Sequence, residues 1–324
     1  MKVLYGYRDI KEKLKDPIVA IGIFDGIHIG HKRIIRKILA FRDYERDRVI
    51  MTFDPHPQTV LAPAKKPPRI MSLEHRLFIF EKMGVDAAVV ISFTDFIAGM
   101  TPEEFTRRVL SGIGTRLVYV GSNFHFGRAR SGNVGSLKTI GKAFGIDVRA
   151  VQPVKKGRRI VSSTWLRELI KRGDIGKAEK LLRRPVSVLG TVVSGERRGG
   201  ALGAPTANID PHQEVIPPPG VYAVKVDLDG TLLDGVLNIG FKPTFFGSRL
   251  KKRKEPHIEV HLIDFKGELY GRVMEIFFLK RLRREKKFRS EEALKKGIAE
   301  DIKKAKTILE SKKVLLKIKR YKYI

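Results

Sequence analysis

The first half of the chain alternates between short apolar runs and amphipathic segments. Apolar runs of strand length occupy residues 18–24, 48–53, 86–93 and 116–120. Between them, apolar residues recur at helical spacing over residues 31–41, 74–84 and 102–110, the last with Thr101 as its cap and Pro102 at its first position. Strands that alternate with helices predict a parallel sheet covered by helices on both faces.

The pattern changes near Pro185. Short β-rich runs follow at residues 186–193, 220–226, 235–241, 257–263 and 272–279, separated by Gly, Pro and Asp turns. Such spacing predicts an antiparallel barrel or sandwich. The pattern over residues 291–309 predicts a long basic helix. We expect the last residues of the chain to form a loosely docked tail. We therefore expect two domains, residues 1–184 and residues 185–324.

Composition and charge set the class of protein. The chain has 324 residues, of which 42% are hydrophobic, so we expect a globular protein without a membrane-spanning segment or membrane partner. The first residues lack the apolar core of a signal peptide, and cysteine is absent, which fits a cytoplasmic location. The net charge of +30 attracts anions. Because Glu is interleaved with Lys and Arg, a solvated surface and a nucleic-acid-binding surface both remain open.

A Gly-rich turn joins the first strand to the first helix in the sequence GIFDGIHIGH, residues 22–31. A helix start of this kind offers free backbone N–H groups and a positive dipole end to phosphate. His28 and His31 are three residues apart, so both rings can donate hydrogen bonds to one anion. Zinc binding and a purely structural role are the alternatives. The chain has no GxGxxG motif, and residues 135–143 miss the P-loop pattern in spacing and at Ala143.

The HxGH pattern resembles that of the nucleotidyltransferase superfamily. Four further segments, MTFDPHP (51–57), FIAGMTPEEF (96–105), GSNFHFGRARSGN (121–133) and VSSTWLR (161–167), are similar to the N-terminal module of prokaryotic bifunctional FAD synthetases. The resemblance implies a Rossmann-like α/β domain that adenylylates FMN, with His28 and His31 as catalytic residues. The ATP- and phosphate-binding residues that it implies are Gly22, Phe24, His28, Gly30, His31, Asn123, Ser162, Ser163, Thr164 and Arg167. By itself, SSTWLR is equally an ordinary helix start.

The second half is similar to the riboflavin kinase module of the same family, in GALGAPTANI (200–209), NIGFKPTF (238–245), IEVHLIDFKGELYG (258–271) and REKKFRSEEAL (284–294). The resemblance implies an antiparallel β-barrel with a C-terminal helix, and Glu259 as the catalytic base. Thr206 and Asn208 match its Mg²⁺ ligands, and the ATP-binding residues that it implies are Gly203, Pro205, Thr206 and Asn208. Without the resemblance, PTAN would be interpreted as a turn, and Glu259 would be interpreted as an outward-facing residue of a strand. Gly200, Ala204 and Lys242 depart from the family pattern, and Lys lacks the bidentate fork of Arg.

The resemblance implies a two-step function. The barrel would phosphorylate riboflavin to FMN, and the N-terminal domain would join FMN and ATP to give FAD and pyrophosphate. ATP, Mg²⁺ and the flavins are then the expected ligands, without a specific nucleic acid. Two alternatives remain: a single-activity FMN adenylyltransferase with an impaired barrel, and an RNA-binding protein built on the same scaffold. The sequence does not indicate an oligomeric state.

Overall fold

The computed structural model of the protein describes residues 1–41, 45–194, 206–241, 256–286 and 288–311. By compactness the chain divides into two units. The first comprises Met1–Pro68 and Leu73–Ser163, and the second comprises Arg69–Ser72 and the described residues from Thr164 onward. The domain boundary after residue 184 stays a prediction. The compact units divide the chain earlier, at the start of the helix Ser163–Arg172.

A parallel sheet forms the centre of the first unit. The strands of this unit are β1 Lys2–Tyr5, β2 Ile18–Ile21, β3 Arg48–Asp54, β4 Ala87–Ser92, β5 Leu117–Gly121, β6 His125–Phe126, β7 Gly132–Asn133, β8 Asp147–Val151, β9 Lys155–Lys156 and β10 Arg159–Ile160. Six of them pair in the order β1-β4-β3-β2-β5-β8, and every pair is parallel. Two short antiparallel pairs, β6–β7 and β9–β10, lie outside this sheet.

Both faces of the sheet are covered, as the sequence predicts. Ile18, Val19 and Ala20 are successive residues of β2 and all are fully buried, although their side chains point to alternate faces. The helices of this unit are α1 Ile29–Leu39, α2 Pro57–Leu61, α3 Leu73–Lys82, α4 Asp95–Gly99, α5 Pro102–Phe105 and α6 Val134–Ala143. Helix α5 continues as a π-helical segment, Thr106–Ser111. Thr101 caps α5 as expected, in a capping box with Glu104.

The second unit is built on a closed six-stranded barrel. Its helices and strands are α7 Ser163–Arg172 (with Ser163 itself in the first unit), α8 Ile175–Leu182, β11 Val186–Val193, β12 Ala207–Pro211, β13 Gly220–Leu228, β14 Thr231–Phe241, β15 Pro256–Leu262, β16 Val273–Arg283 and α9 Glu291–Leu309. The barrel order is β11-β12-β15-β14-β13-β16, with all neighbours antiparallel. Helix α9 has the predicted bounds and buries Ala305 and Leu309 fully.

One strand of the barrel differs from the sequence-based prediction. Residues of the PTAN segment were expected to form a turn, but Ala207–Pro211 is strand β12. Its backbone pairs with β11 on one side and β15 on the other. Two partners hold a short segment whose own sequence shows little β-propensity, because cross-strand hydrogen bonds and packing outweigh intrinsic preference.

Candidate active sites

The loop after β2 contains two buried residues whose backbone is strained. Phe24 and Ile27 both lie in the left-handed region, at φ 55° and 43°, and neither side chain is exposed. The Phe24 ring packs edge-on against Phe80, with centroids 5.8 Å apart. Such backbone conformations persist only where packing over-determines them, and they concentrate at functional sites.

The two histidines of the motif are in contact at the start of α1. Their rings stack with centroids 3.7 Å apart and planes 18° apart. His28 is the N-cap residue, and its Nδ1 accepts a hydrogen bond of 3.3 Å from the backbone N–H of His31. An accepting Nδ1 places the proton of the neutral His28 ring on Nε2, where it is a donor. The pair therefore presents imidazole donors at the positive end of a helix.

Two glycines of the motif are required by the histidine and phenylalanine rings. A Cβ at Gly30 would lie 3.0 Å from Cε1 of His28, and a Cβ at Gly22 would lie 2.9 Å from Cζ of Phe24. Both distances are closer than ordinary van der Waals contact. Gly22 and Gly30 therefore contribute to the site by leaving room for the two rings.

Ser163 brings the second predicted phosphate-binding segment to this loop. Its hydroxyl donates a 2.8 Å hydrogen bond to the carbonyl of Asp25. Ser162 precedes it and is partly buried. Thr164, which is exposed, and Arg167, which is partly buried, continue α7 and belong to the second unit by compactness.

Asn123 follows the neighbouring strand β5. Because β5 pairs in parallel with β2, the loops that follow the two strands start from the same edge of the sheet. Asn123 is exposed, and its Oδ1 lies 3.1 Å from the position that a Cβ of Gly121 would take. Its carbonyl oxygen is 3.0 Å from Nδ1 of His125.

A buried arginine holds the loop after β2 by hydrogen bonds, and the sequence analysis did not identify it. Arg76 of α3 is only 4% exposed. Its guanidinium donates to the Ile23 carbonyl and the Thr52 hydroxyl, both at 2.8 Å, and it pairs with Asp54 at 3.2 Å. The available signal was a charged residue one turn before the buried Phe80 on the same helix face.

In the barrel, three polar residues lie side by side on adjacent strands. Glu259 of β15 is directly opposite Asn208 of β12 on one side and Asn238 of β14 on the other. Directly paired residues point to the same face of a sheet. Asn208 is 8% exposed, and its Oδ1 is buried with no hydrogen-bond partner among the described residues. We call these three residues the polar row.

A cavity of about 470 Å³ adjoins one end of the polar row. Its described lining includes Thr206 and Asn208 together with apolar and aromatic residues, among them Val192, Leu262, Phe265 and Tyr270. An open pocket with apolar walls and a few convergent polar groups is typical of small-molecule sites. Gly203 and Pro205, as well as Gly200, Ala204 and Lys242, lie outside the described residues.

A second carboxylate lies near the polar row, and sequence reasoning did not single it out. A Cβ on Gly240 would be 2.6 Å from Oε1 of Glu285 and 3.7 Å from Nδ2 of Asn238. Glu285 thus lies over a glycine in the interior of β14. Glycine within a strand marks close approach of another group, so Gly240 was the signal in the sequence that could have indicated this position.

Comparisons with known proteins agree with this architecture. A family model described as FAD synthetase matches residues 10–165, and one described as riboflavin kinase matches residues 182–309.

Within the described residues, no group of three His, Cys, Asp or Glu side chains is arranged to hold a metal ion. No described helix combines the length and apolar character needed to cross a membrane.

Whole-length relatives carry both activities in their names. The bifunctional riboflavin kinase/FMN adenylyltransferase from Bacillus subtilis is 33% identical over 90% of the chain and 92% of its own length. The one from Escherichia coli K12 is also 33% identical, over 93% of the chain and 96% of its own length. The one from Pseudomonas fluorescens is 34% identical over 95% of the chain and 98% of its own length.

A solved structure extends the likeness to the fold. The crystal structure of a protein described as a macrolide-efflux protein from Streptococcus pneumoniae superposes with a TM-score of 0.78 at 27% identity, covering 94% of this chain and 99% of that chain. Taken with the two family models and the curated relatives, the chain belongs to the family of bifunctional riboflavin kinase/FMN adenylyltransferases.

Proposed function

We propose that this protein phosphorylates riboflavin with ATP to give FMN and ADP, and joins FMN to ATP to give FAD and pyrophosphate. The observation that carries the proposal is the presence of two distinct sets of groups in two compact units. The stacked histidines lie in the unit matched by the FAD synthetase model. The polar row and its cavity lie in the barrel matched by the riboflavin kinase model.

In the adenylylation step, the FMN phosphate is already an anion and attacks the α-phosphorus of ATP without a strong base. His28 and His31 hold the ATP phosphates at the start of α1 and stabilise the charge that moves onto the leaving pyrophosphate. Gly22, Phe24 and Gly30 shape this loop around the rings. Asn123 and Ser163 are the further binding residues that we propose in the first unit. Alignment and charge neutralisation supply the catalysis.

In the kinase step, the riboflavin 5′-hydroxyl attacks the γ-phosphorus of ATP. Glu259 takes the hydroxyl proton, the bond from phosphorus to the β,γ-bridging oxygen breaks, and ADP leaves. Because Glu259 lies between two amide side chains, its carboxylate is next to groups that can bind the reacting phosphate or the flavin. We propose that Gly203 and Pro205 contribute to binding of the ATP phosphates.

Thr206 and Asn208 fit a magnesium ion. A hydroxyl and an amide are oxygen donors of the kind that Mg²⁺ prefers, and the buried Asn208 Oδ1 has no partner among the described residues. Bound there with ATP, Mg²⁺ would neutralise phosphate charge. We expect Asn208→Ala to raise the Mg²⁺ concentration needed for half-maximal riboflavin phosphorylation. The Mg²⁺ requirement of FMN adenylylation in the same preparation should stay unchanged. Equal shifts in both requirements would contradict the assignment.

The test of the two-site proposal is a double dissociation. His31→Ala removes a donor whose hydrogen bond strengthens as charge develops, so FAD formation from FMN should fall about 10²–10³-fold while FMN still accumulates from riboflavin. Glu259→Gln keeps the shape and removes the base. Riboflavin phosphorylation should fall about 10²–10⁴-fold while supplied FMN is still converted to FAD.

Two controls make the result interpretable. Each variant must keep the melting temperature of the parent protein, which excludes misfolding. Glu300→Gln, on an exposed position of α9, removes a carboxylate far from the polar row in sequence and should leave both activities intact. A folded variant that lost both steps equally would show that the two-site assignment is wrong.

A further inference from the structure

Glu259 has a hydrogen-bond partner on its own strand. Nε2 of His257 lies 2.7 Å from Oε1 of Glu259. Residues two apart on a strand point to the same face, so the imidazole and the carboxylate are neighbours along β15. Their side chains are 25% and 32% exposed, which leaves the carboxylate accessible to a small molecule.

Glu259 has polar neighbours on the adjacent strands and also on its own strand. Asn208 and Asn238 flank Glu259 on the neighbouring strands, whereas His257 approaches it from the preceding position of the same face. Directly opposite His257 is Gly240, and the carboxylate of Glu285 occupies the space of the missing side chain, with Oε1 2.6 Å from the Cβ position. Glu259 is thereby approached on three sides by polar groups of the barrel.

A general base must offer a lone pair along a defined direction as well as be ionised. A carboxylate on a flexible side chain occupies several rotamers, and a hydrogen bond to this charged group favours one of them. When His257 donates to Oε1, the second oxygen, Oε2, remains to accept a proton. The imidazole can thus fix the orientation of the base.

We propose that His257 is a positioning residue for the kinase step. Its Nε2–H holds Oε1 of Glu259, and Oε2 receives the proton of the riboflavin 5′-hydroxyl as the hydroxyl oxygen bonds to the γ-phosphorus and ADP leaves with the bridging oxygen. This role rests on the proposed role of Glu259 as the base. It predicts a loss in turnover without a matching loss in flavin binding, because the carboxylate stays in the site but is less well aligned.

The experiment uses the full-length protein with His257→Leu, His257→Gln and Glu259→Gln. We expect His257→Leu to lower kcat for riboflavin phosphorylation by about tenfold or more, tenfold being the lower end of the range for one hydrogen bond to a charged group. The KM for riboflavin should stay within about twofold of the parent value, as for an interaction made only in the transition state. His257→Gln should recover most of the rate, since its side-chain amide is a donor at a similar reach.

Non-additivity gives a second readout that a merely structural role would not produce. In a Glu259→Gln background, His257→Leu should lower kcat no further, because the group it positions is already lost. His261→Leu is the matched control: it removes an imidazole two residues to the other side of Glu259, opposite Val236 and outside the polar row. The melting temperature of each variant reports whether the barrel is intact, and FMN adenylylation reports whether the first unit is intact.

The possible results separate this inference from the proposed function. If Glu259→Gln keeps full kinase activity, the base assignment is wrong and the role of His257 falls with it. If Glu259→Gln is inactive but His257→Leu has the parent kcat, or His257→Gln is no better than His257→Leu, only the positioning role is overturned. Should His257→Leu fail to fold, His257→Ser at this partly exposed position makes the same comparison.

Discussion

At the scale of single residues, one carboxylate joins two strands of the parallel sheet. Asp86, just before β4, accepts hydrogen bonds of 2.7–2.8 Å from the backbone N–H, Nε and Nη2 of Arg48, the first residue of β3. Burial raises the pKa of Asp86, but the hydrogen bonds and charge of Arg48 outweigh it, so the pKa lies below its usual value. The ionised form is therefore the one that the fold stabilises.

We expect Asp86→Asn to lower the free energy of unfolding by about 1 kcal/mol near neutral pH, the scale of a solvent-accessible ion pair. Since the folded-state pKa is lowered, this stabilisation is present above the unfolded value of about 4 and is lost as the pH falls through the folded value. The difference in melting temperature between parent and variant should therefore shrink progressively as the pH falls below about 4. A difference that stayed constant over this range would contradict the linkage.

Gly30 offers a residue-scale test of the histidine pair. Gly30→Ala adds a Cβ 3.0–3.1 Å from the His28 ring, so the ring must move and lose its alignment with His31. We expect FAD formation from FMN to fall at least tenfold, because small misplacements of catalytic groups are costly, with riboflavin phosphorylation unchanged. Both rates are measured on the same preparation.

Gly176→Ala is the matched control for this substitution. A Cβ at Gly176, inside α8, meets nothing within 4 Å. It should stabilise the helix by about 0.5–1 kcal/mol and leave both activities intact. If Gly30→Ala formed FAD at the parent rate, the close packing of this loop would not be needed for the reaction.

At the scale of elements, a short basic hairpin stands next to the loop that carries the histidines. Strands β9 and β10 hold Lys155, Lys156 and Arg159, all exposed, and Arg159 is directly opposite Lys156. Like charges on paired positions destabilise a hairpin. At its base, Val161 donates to the Val154 carbonyl. The Val161 carbonyl lies 3.7 Å from the Cβ position of Gly30. The positive charges are therefore anchored beside the start of α1.

We expect the hairpin to attract the phosphates of ATP and FMN. Arg158 is an exposed residue in the turn between β9 and β10. The triple substitution Lys155→Ser, Lys156→Ser and Arg158→Ser should lower kcat/KM for FMN adenylylation several-fold at low salt. The effect should shrink as the salt concentration is raised. Above physiological ionic strength the Debye length falls below about 8 Å, and the added ions screen these charges. Kinase activity should not respond. Lys296→Ser, Lys303→Ser and Lys304→Ser remove the same charge from exposed positions on α9. An equal loss in that control would assign the effect to net charge alone.

At the scale of the whole molecule, the compact unit that contains the barrel also includes a short segment from the first half of the sequence, Arg69–Ser72. The Arg69 carbonyl accepts hydrogen bonds from the backbone N–H groups of Glu214 and Val215. The fully buried guanidinium of Arg184 donates to the Ser187 hydroxyl and to the Met71 sulfur. Burial lowers the pKa of this arginine, and each lost partner leaves a costly buried charge.

A barrel that begins at Pro185 should therefore be less stable than one that begins at Thr164. The shorter chain loses Arg184 and also α8, which packs against β11 and β16. We expect the longer chain to fold and phosphorylate riboflavin, at a melting temperature below that of the full protein because it lacks Arg69–Ser72. Thermal melts and kinase assays on both chains test this. Equal melting temperatures would support the boundary expected at residue 184.

The local pattern of residues determined the main elements of both units. Hydrophobic periodicity predicted the alternation of strands and helices, and α9 from its first to its last residue, because both periods are properties of consecutive residues. The motif GIFDGIHIGH predicted an anion site for the same reason, because its glycines and histidines lie within ten consecutive residues. The family resemblance added Glu259 and Asn208, which spacing alone would have left as an outward strand residue and part of a turn.

Only the tertiary structure decided what depends on residues distant in sequence. Strand β12 exists because β11 and β15 pair with it, and the polar row exists because strand register aligns Asn208, Glu259 and Asn238. Arg76 reaches Ile23 across more than fifty residues of sequence. No local pattern reports such a contact, since hydrogen bonds between distant segments depend on the path of the folded backbone. The His257–Glu259 pair lies between these cases: alternation puts both on one face, but only the folded barrel places them beside the two asparagines.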